Sequence, residues 1–311
     1  MREYEIEPGQ AWVVDTLRPE DAVGVTRLFR SVYGEGYPIR TYVEPDLLIE
    51  ENRAQRILSS VARTARGDIV GHNAIFHSAP SDLIFESGSG LVHRSYRGEG
   101  IFQPMILHGQ KRAAGELRAA AIWGEPVLNH PFSQKTTRSV DWRTFAVEVD
   151  LMPAAAYTKE KSAPGRVSTL MDFHPLNPRP HAVFLPPVYE GALKELYEQW
   201  PTTRTLHLSR AEPEPAVSSR IETRVFAFAQ VARVSIQGIG GDFEAGFAAT
   251  EQDVLNQGCD VLQAWLPLSD PAVGWVADCL RGRGYFFGGL LPRWFDDDGT
   301  VSYTHLRAHE T

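Results

Sequence analysis

The segment Val92–Ile101, which reads Val-His-Arg-Ser-Tyr-Arg-Gly-Glu-Gly-Ile, contains residue types that could bind an anion. Arg97 can add a charge-assisted contact, and Gly98 and Gly100 let the main chain approach a ligand closely. Because the segment lies between a predicted strand and a predicted helix, its N–H groups lack intrahelical acceptors and the helix dipole adds positive potential. The predicted ligand is a phosphate or a pyrophosphate. The spacing is neither that of a Walker loop nor that of a full dinucleotide-binding motif, and a flexible strand-to-helix turn is the alternative.

The hydrophobic pattern predicts the elements that must position this loop. Apolar residues recur at helical spacing after Pro19, and the glycines in Ser87–Gly90 indicate a bulge or the close approach of a ligand. The predicted helices and strands are, in order, a helix over Ala22–Val32, a helix over Pro45–Arg56, strands over Ile57–Thr64, Ile69–His77 and Leu83–Val92, a helix ending at Leu117, a strand over Ala119–Trp123, a helix over Pro131–Val140 and a strand over Thr144–Leu151.

Length and composition limit the class of protein. A chain of 311 residues suggests about two domains, and a net charge of −8 argues against a uniformly basic nucleic-acid-binding surface. No apolar stretch approaches the ~20 residues that a membrane span needs. The two cysteines, Cys259 and Cys279, form neither a disulfide framework nor a zinc site, and the N-terminus lacks an apolar signal core. We therefore expect a protein of the cytoplasm that binds neither membranes nor nucleic acids.

The first half of the sequence resembles the GNAT superfamily of acyl-CoA-dependent N-acetyltransferases. The resemblance covers roughly Thr16 to Pro153 and rests on Leu17–Asp21, on Gly67–His72 at the hairpin, and on the loop Val92–Ile101. It implies a fold that runs strand, two helices, three antiparallel strands, phosphate loop, helix, strand, helix, strand. It also implies that the pyrophosphate of acyl-CoA binds the amides of Arg97, Gly98, Glu99, Gly100, Ile101 and Phe102. The pantetheine arm would run beside the strand that ends at Leu91 and Val92.

Two positions depart from the pattern of that superfamily. Phe102 stands where its members often have glycine or alanine, so a large ring could crowd the pyrophosphate or pack outward. The helix that often carries a tyrosine as general acid corresponds to Asn129–Thr137, in which Asn129 matches and Thr137 replaces the tyrosine. The usual acid is therefore absent, although Asn129 and Ser133 could still contact CoA. Lys135 is a further candidate contact, and a solvated polar helix face is the alternative for both Ser133 and Lys135.

Acid–base work then falls to other side chains. Direct attack of an amine on the thioester needs a neutral amine and protonation of the departing thiolate, and proximity can supply much of the acceleration. Glu86 is the first candidate for a general base, with an exposed or ion-paired strand carboxylate as the alternative. His130 is the second candidate because an unperturbed histidine titrates near neutrality, with a helix cap or a surface residue as the alternative.

Other chemistries lack the residues they need. His72 and His77 lie on predicted strands without clustered acidic or thiol ligands, so we expect no metal. The serines near Gly90 lack the Gly-x-Ser-x-Gly elbow of hydrolases. Asp296–Asp298 is interpreted as a solvated acidic turn rather than a metal site.

The second half looks like a degenerate relative of the first. Leu266–Pro271, the following helix and Arg283–Phe287 resemble the last strand, helix and strand of the same superfamily, whereas Gly238–Gly241 lacks the arginine of the loop. An unrelated α+β domain is the alternative. The irregular segment Pro153–Pro180 is interpreted as the connection between domains. Further predictions here are a strand over Val225–Ile236, a strand over Ala245–Ala249, a strand over Val261–Leu266, a helix over Pro271–Arg281 and a strand over Tyr285–Leu291.

The predicted organisation is an α+β (mixed-sheet) acyl-CoA N-acyltransferase-like fold with two tandem GNAT-like domains. Residues 1–160 form the acyl-CoA-binding domain, 161–180 a linker, and 181–300 a degenerate domain that covers the acceptor cleft or pairs two copies into a homodimer. Residues 301–311 look like the translation of a sequencing-library adapter, with a native polar tail as the alternative. On the adapter interpretation the natural protein is cut off near Gly299.

The predicted activity is N-acyl transfer from an acyl-CoA, most simply acetyl-CoA, to a small-molecule or peptide amine near Tyr33 and Tyr37, without a metal. One rival is an acyl-CoA sensor that has lost turnover, which the missing tyrosine favours. The other rival is an interaction protein that binds no CoA.

Overall fold

The computed structural model describes residues 4–34, 37, 39–153, 165–200 and 204–305. The chain divides into two compact units, the first comprising Met1–Gly124 and Phe132–Trp142, and the second Glu125–Pro131 and Arg143–Thr311. Both combine helices with parallel and antiparallel strands, which confirms the predicted α+β class with mixed sheets. The predicted domain boundaries, with a linker over 161–180, remain a prediction. None of the described helices is long and apolar enough to cross a membrane.

From its first strand to its last helix, the first unit follows the element order that the resemblance implies, and the final strand of that order, Arg143–Met152, belongs to the second unit. Its strands pair in the order β1-β2-β3-β4-β5, and only the β4–β5 pair is parallel. Its elements are β1 (Trp12–Thr16), α1 (Ala22–Tyr33), α2 (Pro45–Arg53), β2 (Ile57–Thr64), β3 (Ile69–Phe76), β4 (Ile84–Val92), α3 (Phe102–Glu116), β5 (Ala121–Gly124) and α4 (Phe132–Ser139).

Two apolar clusters hold this sheet between helices. Strand β2 is buried along its whole length because α1 and α2 cover one face of the sheet and α3 covers the other. Val25, Leu28 and Phe29 of α1 pack on the first face, whereas Met105 of α3 packs near Gly71 on the second. Burial on both faces therefore includes the polar residues of β2, which the sequence ILSSVART places among its apolar ones.

The second unit repeats part of this topology. Its main strands lie in the order β7-β6-β13-β14-β12-β11-β10, and β8 and β9 form a separate parallel pair. Strands β11 and β12 are parallel and connected by α6, as β4 and β5 are connected by α3. Its elements are β6 (Arg143–Met152), β7 (Val167–Pro175), β8 (His181–Leu185), α5 (Glu190–Tyr197), β9 (Arg204–Leu208), β10 (Arg220–Phe226), β11 (Val231–Gly238), α6 (Phe243–Asn256), β12 (Val261–Pro267), α7 (Val273–Gly282), β13 (Phe286–Phe295) and β14 (Asp297–His305).

Three sequence-based assignments in this half are wrong. Strand β7 lies within the segment Pro153–Pro180 that was expected to be irregular, and it pairs with β6. The single strand expected over Val225–Ile236 is a hairpin of β10 and β11 whose turn includes Gln230 at φ 55°. The strand expected over Ala245–Ala249 lies inside α6, because five residues are too few to reveal the helical spacing of Phe243, Phe247 and Val254.

The chain end contributes to the second unit. Val301–His305 belongs to β14, which pairs with β12 and β13, and Val301 and Tyr303 are fully buried. These residues therefore take part in the sheet, whereas 306–311 lie outside the described residues, as do 154–164 of the expected connection. The adapter origin of 301–311 remains a prediction.

Candidate functional site

The loop between β4 and α3 presents backbone donors that have no internal acceptor. Within the described part of the chain, the N–H groups of Gly98, Gly100, Ile101, Phe102 and Gln103 donate to no backbone or side-chain group. The amides of Arg97 and Glu99 are used internally, since they donate to the carbonyl oxygens of Arg94 and Tyr96, both at 3.4 Å. The structure therefore leaves fewer free amides than the six that were expected from Arg97 to Phe102, because two of them are already hydrogen-bonded. The free N–H groups that remain stand at the positive end of α3.

Two glycines give the loop its path. Gly98 has φ +89° and Gly100 has φ +76°, a region in which residues with a Cβ are strained. No atom lies within 4 Å of the position that a Cβ would take at either glycine, so the space in front of both is open. The Arg97 side chain is exposed, and its Nε lies 3.4 Å from the carbonyl oxygen of Val92. An incoming anion would therefore meet exposed backbone and the exposed cation of Arg97.

The loop is anchored to the N-terminal segment by two buried side chains that sequence reasoning did not identify. His93 Nε2 donates to the Tyr4 carbonyl at 2.9 Å, and its Nδ1 accepts the N–H of Ser95 at 3.3 Å. The Tyr96 hydroxyl donates to the Glu7 carbonyl at 2.6 Å. Both residues lie inside the predicted loop, but nothing in the sequence shows that their partners come from residues 4–10.

Strand β4 leaves its parallel neighbour just before the loop. The β4–β5 pairing ends at Glu86 and Trp123, whereas β4 continues to Val92. The β3–β4 register shifts opposite Ser89, a non-glycine residue at φ +50°, which is the geometry of a β-bulge. The bulge lies in the segment Ser87–Gly90 where the sequence predicted one. The separation leaves the edge of β4 that faces away from β3 open beyond Glu86 among the described strands.

Phe102 packs on this strand instead of pointing outward. Its Cζ lies 2.6 Å from the position of a Cβ on Gly90, so the ring occupies the space over that glycine. The ring also packs against the cluster that contains Ile101 and Met105. Leu91 is buried on the opposite face of the sheet, and Val92 is half-buried beside the Phe102 cluster. The side chain therefore narrows the groove along β4 but leaves the N–H groups at the start of α3 without an acceptor.

A chain of hydrogen bonds from the neighbouring strands and α2 fixes the bulge at Ser89. The Ser89 carbonyl lies 3.0 Å from His72 Nδ1, and His72 Nε2 lies 3.1 Å from Ser59 Oγ. Because a carbonyl can only accept, Nδ1 carries the proton and Nε2 accepts from the Ser59 hydroxyl. That hydroxyl in turn accepts from Asn52 Nδ2 at 3.1 Å. Burial lowers the pKa of His72 to about 4, so the ring is neutral at pH 7.

Glu86 faces a group of tyrosines in the same unit. It pairs across the sheet with Phe76, and its Oε1 lies 2.8 Å from the position of a Cβ on Gly88. Burial raises the pKa of Tyr42, and the Glu86 charge adds to that rise. Burial and then the neighbouring Tyr33 and Tyr42 raise the pKa of Tyr37, to which Glu86 adds less. Tyr33 stacks on Tyr37 with ring centroids 4.8 Å apart. A carboxylate and aromatic rings thus lie on the face of β4 opposite the one that α3 covers.

The other expected site residues separate between the units. Asn129 and His130 belong to the second unit and Ser133 to the first, and all three are half-buried. Thr137, at the position of the missing tyrosine, is buried, and its hydroxyl donates to the carbonyls of Ser133 and Gln134 in its own helix. These bonds engage the Thr137 proton within its own helix.

The corresponding loop of the second unit is filled by its own chain. The Gly240 N–H donates to Ser219 Oγ at 2.9 Å, and the Gly241 N–H donates to the carbonyls of Glu214 and Val217. A Cβ on Gly241 would stand 2.6 Å from Pro215 Cα. The segment from Glu214 to Ser219 therefore occupies the place in front of these amides, in contrast to the open loop of the first unit.

Asp298 corrects the interpretation of the acidic run. It is fully buried, and Arg204 donates to it through Nε at 2.5 Å and through Nη2 at 3.2 Å, so the run is not a solvated turn at this position. Burial alone would raise the pKa of Asp298, but the hydrogen bonds of His181 and Arg204 hold it below its ordinary value. Among the described residues, no three acidic, histidine or cysteine side chains are placed to hold a metal ion.

The first unit, with its loop at the start of α3 and its parted parallel strands, has the acyl-CoA N-acyltransferase-like fold that the sequence resemblance implies. No family model matches the sequence, and no curated protein matches it. Solved structures similar to the chain include several N-acetyltransferases. Each covers only about half of this chain.

Three of these structures illustrate the likeness. A spermidine N-acetyltransferase from Vibrio cholerae, in complex with CoA and spermine, is 12% identical with a TM-score of 0.43, over 53% of this chain and 95% of that chain. An N-acetyltransferase from Staphylococcus aureus is 12% identical with a TM-score of 0.44, over 53% and 99%. A ribosomal-protein alanine acetyltransferase from Vibrio fischeri is 12% identical with a TM-score of 0.43, over 56% and 96%.

Proposed function

We propose that the protein is an N-acyltransferase that moves an acyl group from an acyl-CoA, most simply acetyl-CoA, to an amine. The observation that carries the proposal is the group of unpaired N–H donors at the start of α3, namely those of Gly98, Gly100, Ile101, Phe102 and Gln103. Such donors match the oxygens of a pyrophosphate, and Arg97 adds a positive charge beside them. The open edge of β4 beyond Glu86 would accept the amides of pantetheine, as a further strand does in a sheet.

The acceptor amine would enter from the face of β4 that carries Glu86, Tyr33 and Tyr37. In the proposed reaction Glu86 takes a proton from the ammonium, directly or through a water molecule. The neutral nitrogen then attacks the thioester carbon, the C–N bond forms and the C–S bond breaks. The departing CoA thiolate takes up the proton that the attacking nitrogen loses as the amide forms, so the products are the amide and free CoA. His130 remains a second candidate base, and Asn129 and Ser133 remain proposed CoA contacts.

A CoA-binding assay and an activity assay test this proposal together. CoA should raise the melting temperature of the wild-type protein, because a ligand that binds the native state stabilises it. Arg97→Ala should weaken CoA binding by roughly 10-fold or more through the loss of a charge-assisted contact. Arg53→Ala, at another exposed arginine of the same unit, is the matched control and should leave the CoA-induced shift unchanged.

Thiol release from acetyl-CoA with a panel of amines measures turnover. Glu86→Gln should lower kcat by roughly 10²- to 10⁴-fold without a change in CoA binding. An unchanged CoA-induced shift in Arg97→Ala would contradict the placement of the pyrophosphate. No shift in the wild-type protein would contradict CoA binding altogether.

The second candidate function is that of an acyl-CoA sensor without turnover. Thr137 favours it, because its hydroxyl is bonded within its own helix at the position of the missing acid. Tight CoA binding without thiol release for any amine would support the sensor. We further propose that the second unit binds no CoA, since its own residues occupy the amides of Gly240 and Gly241.

A further inference from the structure

Strand β10 forms one edge of the main sheet of the second unit. It pairs with β11 along one side, and no described strand pairs with it along the other. Three consecutive side chains, Glu222, Thr223 and Arg224, are exposed although they point alternately to the two faces of the sheet. An open strand edge of this kind presents a row of unpaired backbone groups that a further strand can join.

The two charges at the centre of this edge, Glu222 and Arg224, form no ion pair within the described residues, and the Arg224 Cζ lies 4.9 Å from the centre of the Phe226 ring. Arg220, at the start of the strand, donates to the Gln237 carbonyl at 2.9 Å. Edge strands that are protected against pairing commonly carry a charge that repels a second copy. The order of charges along β10 instead favours pairing with a second copy. In an antiparallel pair of β10 strands, an acidic residue of each strand can lie opposite a basic residue of the other.

Strand β10 has the sequence Arg-Ile-Glu-Thr-Arg-Val-Phe. When two copies pair antiparallel with Thr223 on the two-fold axis, the residues that lie opposite each other form favourable contacts. Glu222 then lies opposite Arg224 of the second copy, and this pair occurs twice. Ile221 lies opposite Val225 on the other face, Thr223 lies opposite itself, and Arg220 lies opposite Phe226. Opposite charges, paired β-branched residues and paired threonines are the cross-strand contacts that stabilise antiparallel sheets.

The neighbouring registers lack this complementarity. Moving the two-fold axis to Arg224 places that arginine opposite its own copy, and moving it to Glu222 places two glutamates in contact. Registers centred between residues would require opposite side chains to point to different faces, which antiparallel pairing does not allow. Centring on Ile221 also places Arg220 opposite Glu222 twice, but it pairs only three residues of β10 with the second copy. The charge pattern and the length of β10 together therefore select the register centred on Thr223.

We propose that β10 pairs antiparallel with β10 of a second copy of this chain, centred on Thr223, and that the protein is a homodimer through this edge. The two sheets then continue into one another as β11-β10-β10-β11. The interface joins second units only and does not depend on CoA binding. The test of the dimer is therefore independent of the test of the proposed activity.

Charge reversal at the edge tests the proposal with the full chain. The molar mass of the wild-type protein by light scattering and sedimentation should be that of a dimer. Glu222→Arg and Arg224→Glu each place like charges opposite twice, and each should weaken dimerisation by about 10-fold or more. The double variant Glu222→Arg with Arg224→Glu restores both opposite-charge pairs and should restore the dimer.

Mixing the two single variants gives the strictest control. Neither pairs well with itself, but a mixed dimer again places glutamates opposite arginines in both pairs. Both positions are exposed, so the melting temperatures should change little. A monomeric wild-type protein, a dimer that both single variants leave intact, or a failure of mixing to restore dimers would overturn the proposal. A monomeric wild-type protein would mean that the charges keep the edge unpaired, or that the edge binds a different chain.

Discussion

The carbonyl oxygen of Ser89 accepts a hydrogen bond from Nδ1 of His72 across the β3–β4 pair, at 3.0 Å. Ser89 is the residue at φ +50° where the register of the strands shifts. A neutral buried histidine thus fixes the bulge at the point where β4 has left β5. Along the chain, the bulge lies between Glu86 and the loop that leads into α3.

Replacement of His72 should change how stability depends on pH. Burial lowers the pKa of His72 to about 4, so between about pH 6.5 and 4 the unfolded state binds a proton that the folded state does not. The wild-type protein should therefore lose up to roughly 3 kcal/mol of stability over this range from this residue alone. His72→Gln should lack that contribution. Urea unfolding of both proteins at several pH values gives the difference, and a difference that stays constant with pH would contradict the assignment.

Replacement of Gly100 should separate backbone strain from ligand binding. Gly100→Ala and Gly258→Ala both place a Cβ on a residue with positive φ, +76° and +80°, where no neighbouring atom obstructs it. Both variants should therefore lose about 1–2 kcal/mol of stability from strain. Only Gly100→Ala should also reduce the rise in melting temperature that CoA causes, because only that Cβ stands in front of the free amides. Equal CoA-induced shifts in the two variants would place the pyrophosphate elsewhere.

The close approach of Gly90 and Phe102 predicts a coupled pair. A methyl group on Gly90 would meet the Phe102 ring, so Gly90→Ala should cost roughly 1–3 kcal/mol. In the background of Phe102→Ala the same change should cost much less, which a double-mutant cycle measures by denaturant unfolding. Gly115→Ala, in α3 with no atom within 4 Å of its Cβ, is the control and should stabilise the protein by about 0.5–1 kcal/mol. Additive costs for positions 90 and 102 would show that the ring moves away freely.

The buried ion pair of Asp298 should contribute strongly to the stability of the second unit. Asp298→Asn leaves the buried guanidinium of Arg204 without its counter-charge and should cost roughly 3–5 kcal/mol. Asp278→Asn removes a pair with Arg281, in which both side chains are more than half exposed, and should cost less than about 1 kcal/mol. Thermal unfolding of both variants compares them directly. Similar melting temperatures would mean that the burial of Asp298 is not maintained in solution.

The sequence by itself determined the elements of the first unit and the place of the loop that we propose binds an anion. Strand β2 has the predicted ends, and α1, α4, β3 and β4 differ from their predicted ends by a few residues at most. These predictions succeed because hydrophobic period, helix-start residues and glycines act over short distances along the chain. For the same reason the loop was recognisable from Arg97, Gly98 and Gly100 alone.

Only the tertiary structure decided which of the polar groups noted in the sequence are free and which are already bonded within the protein. The amides of Arg97 and Glu99 are bonded internally, the Phe102 ring lies over Gly90, and the buried Asp298 is paired with Arg204. The anchors of the loop, His93 and Tyr96, have partners almost ninety residues away in sequence. Hydrogen bonding and burial depend on contacts between distant segments, and no local pattern of residues encodes which segments meet.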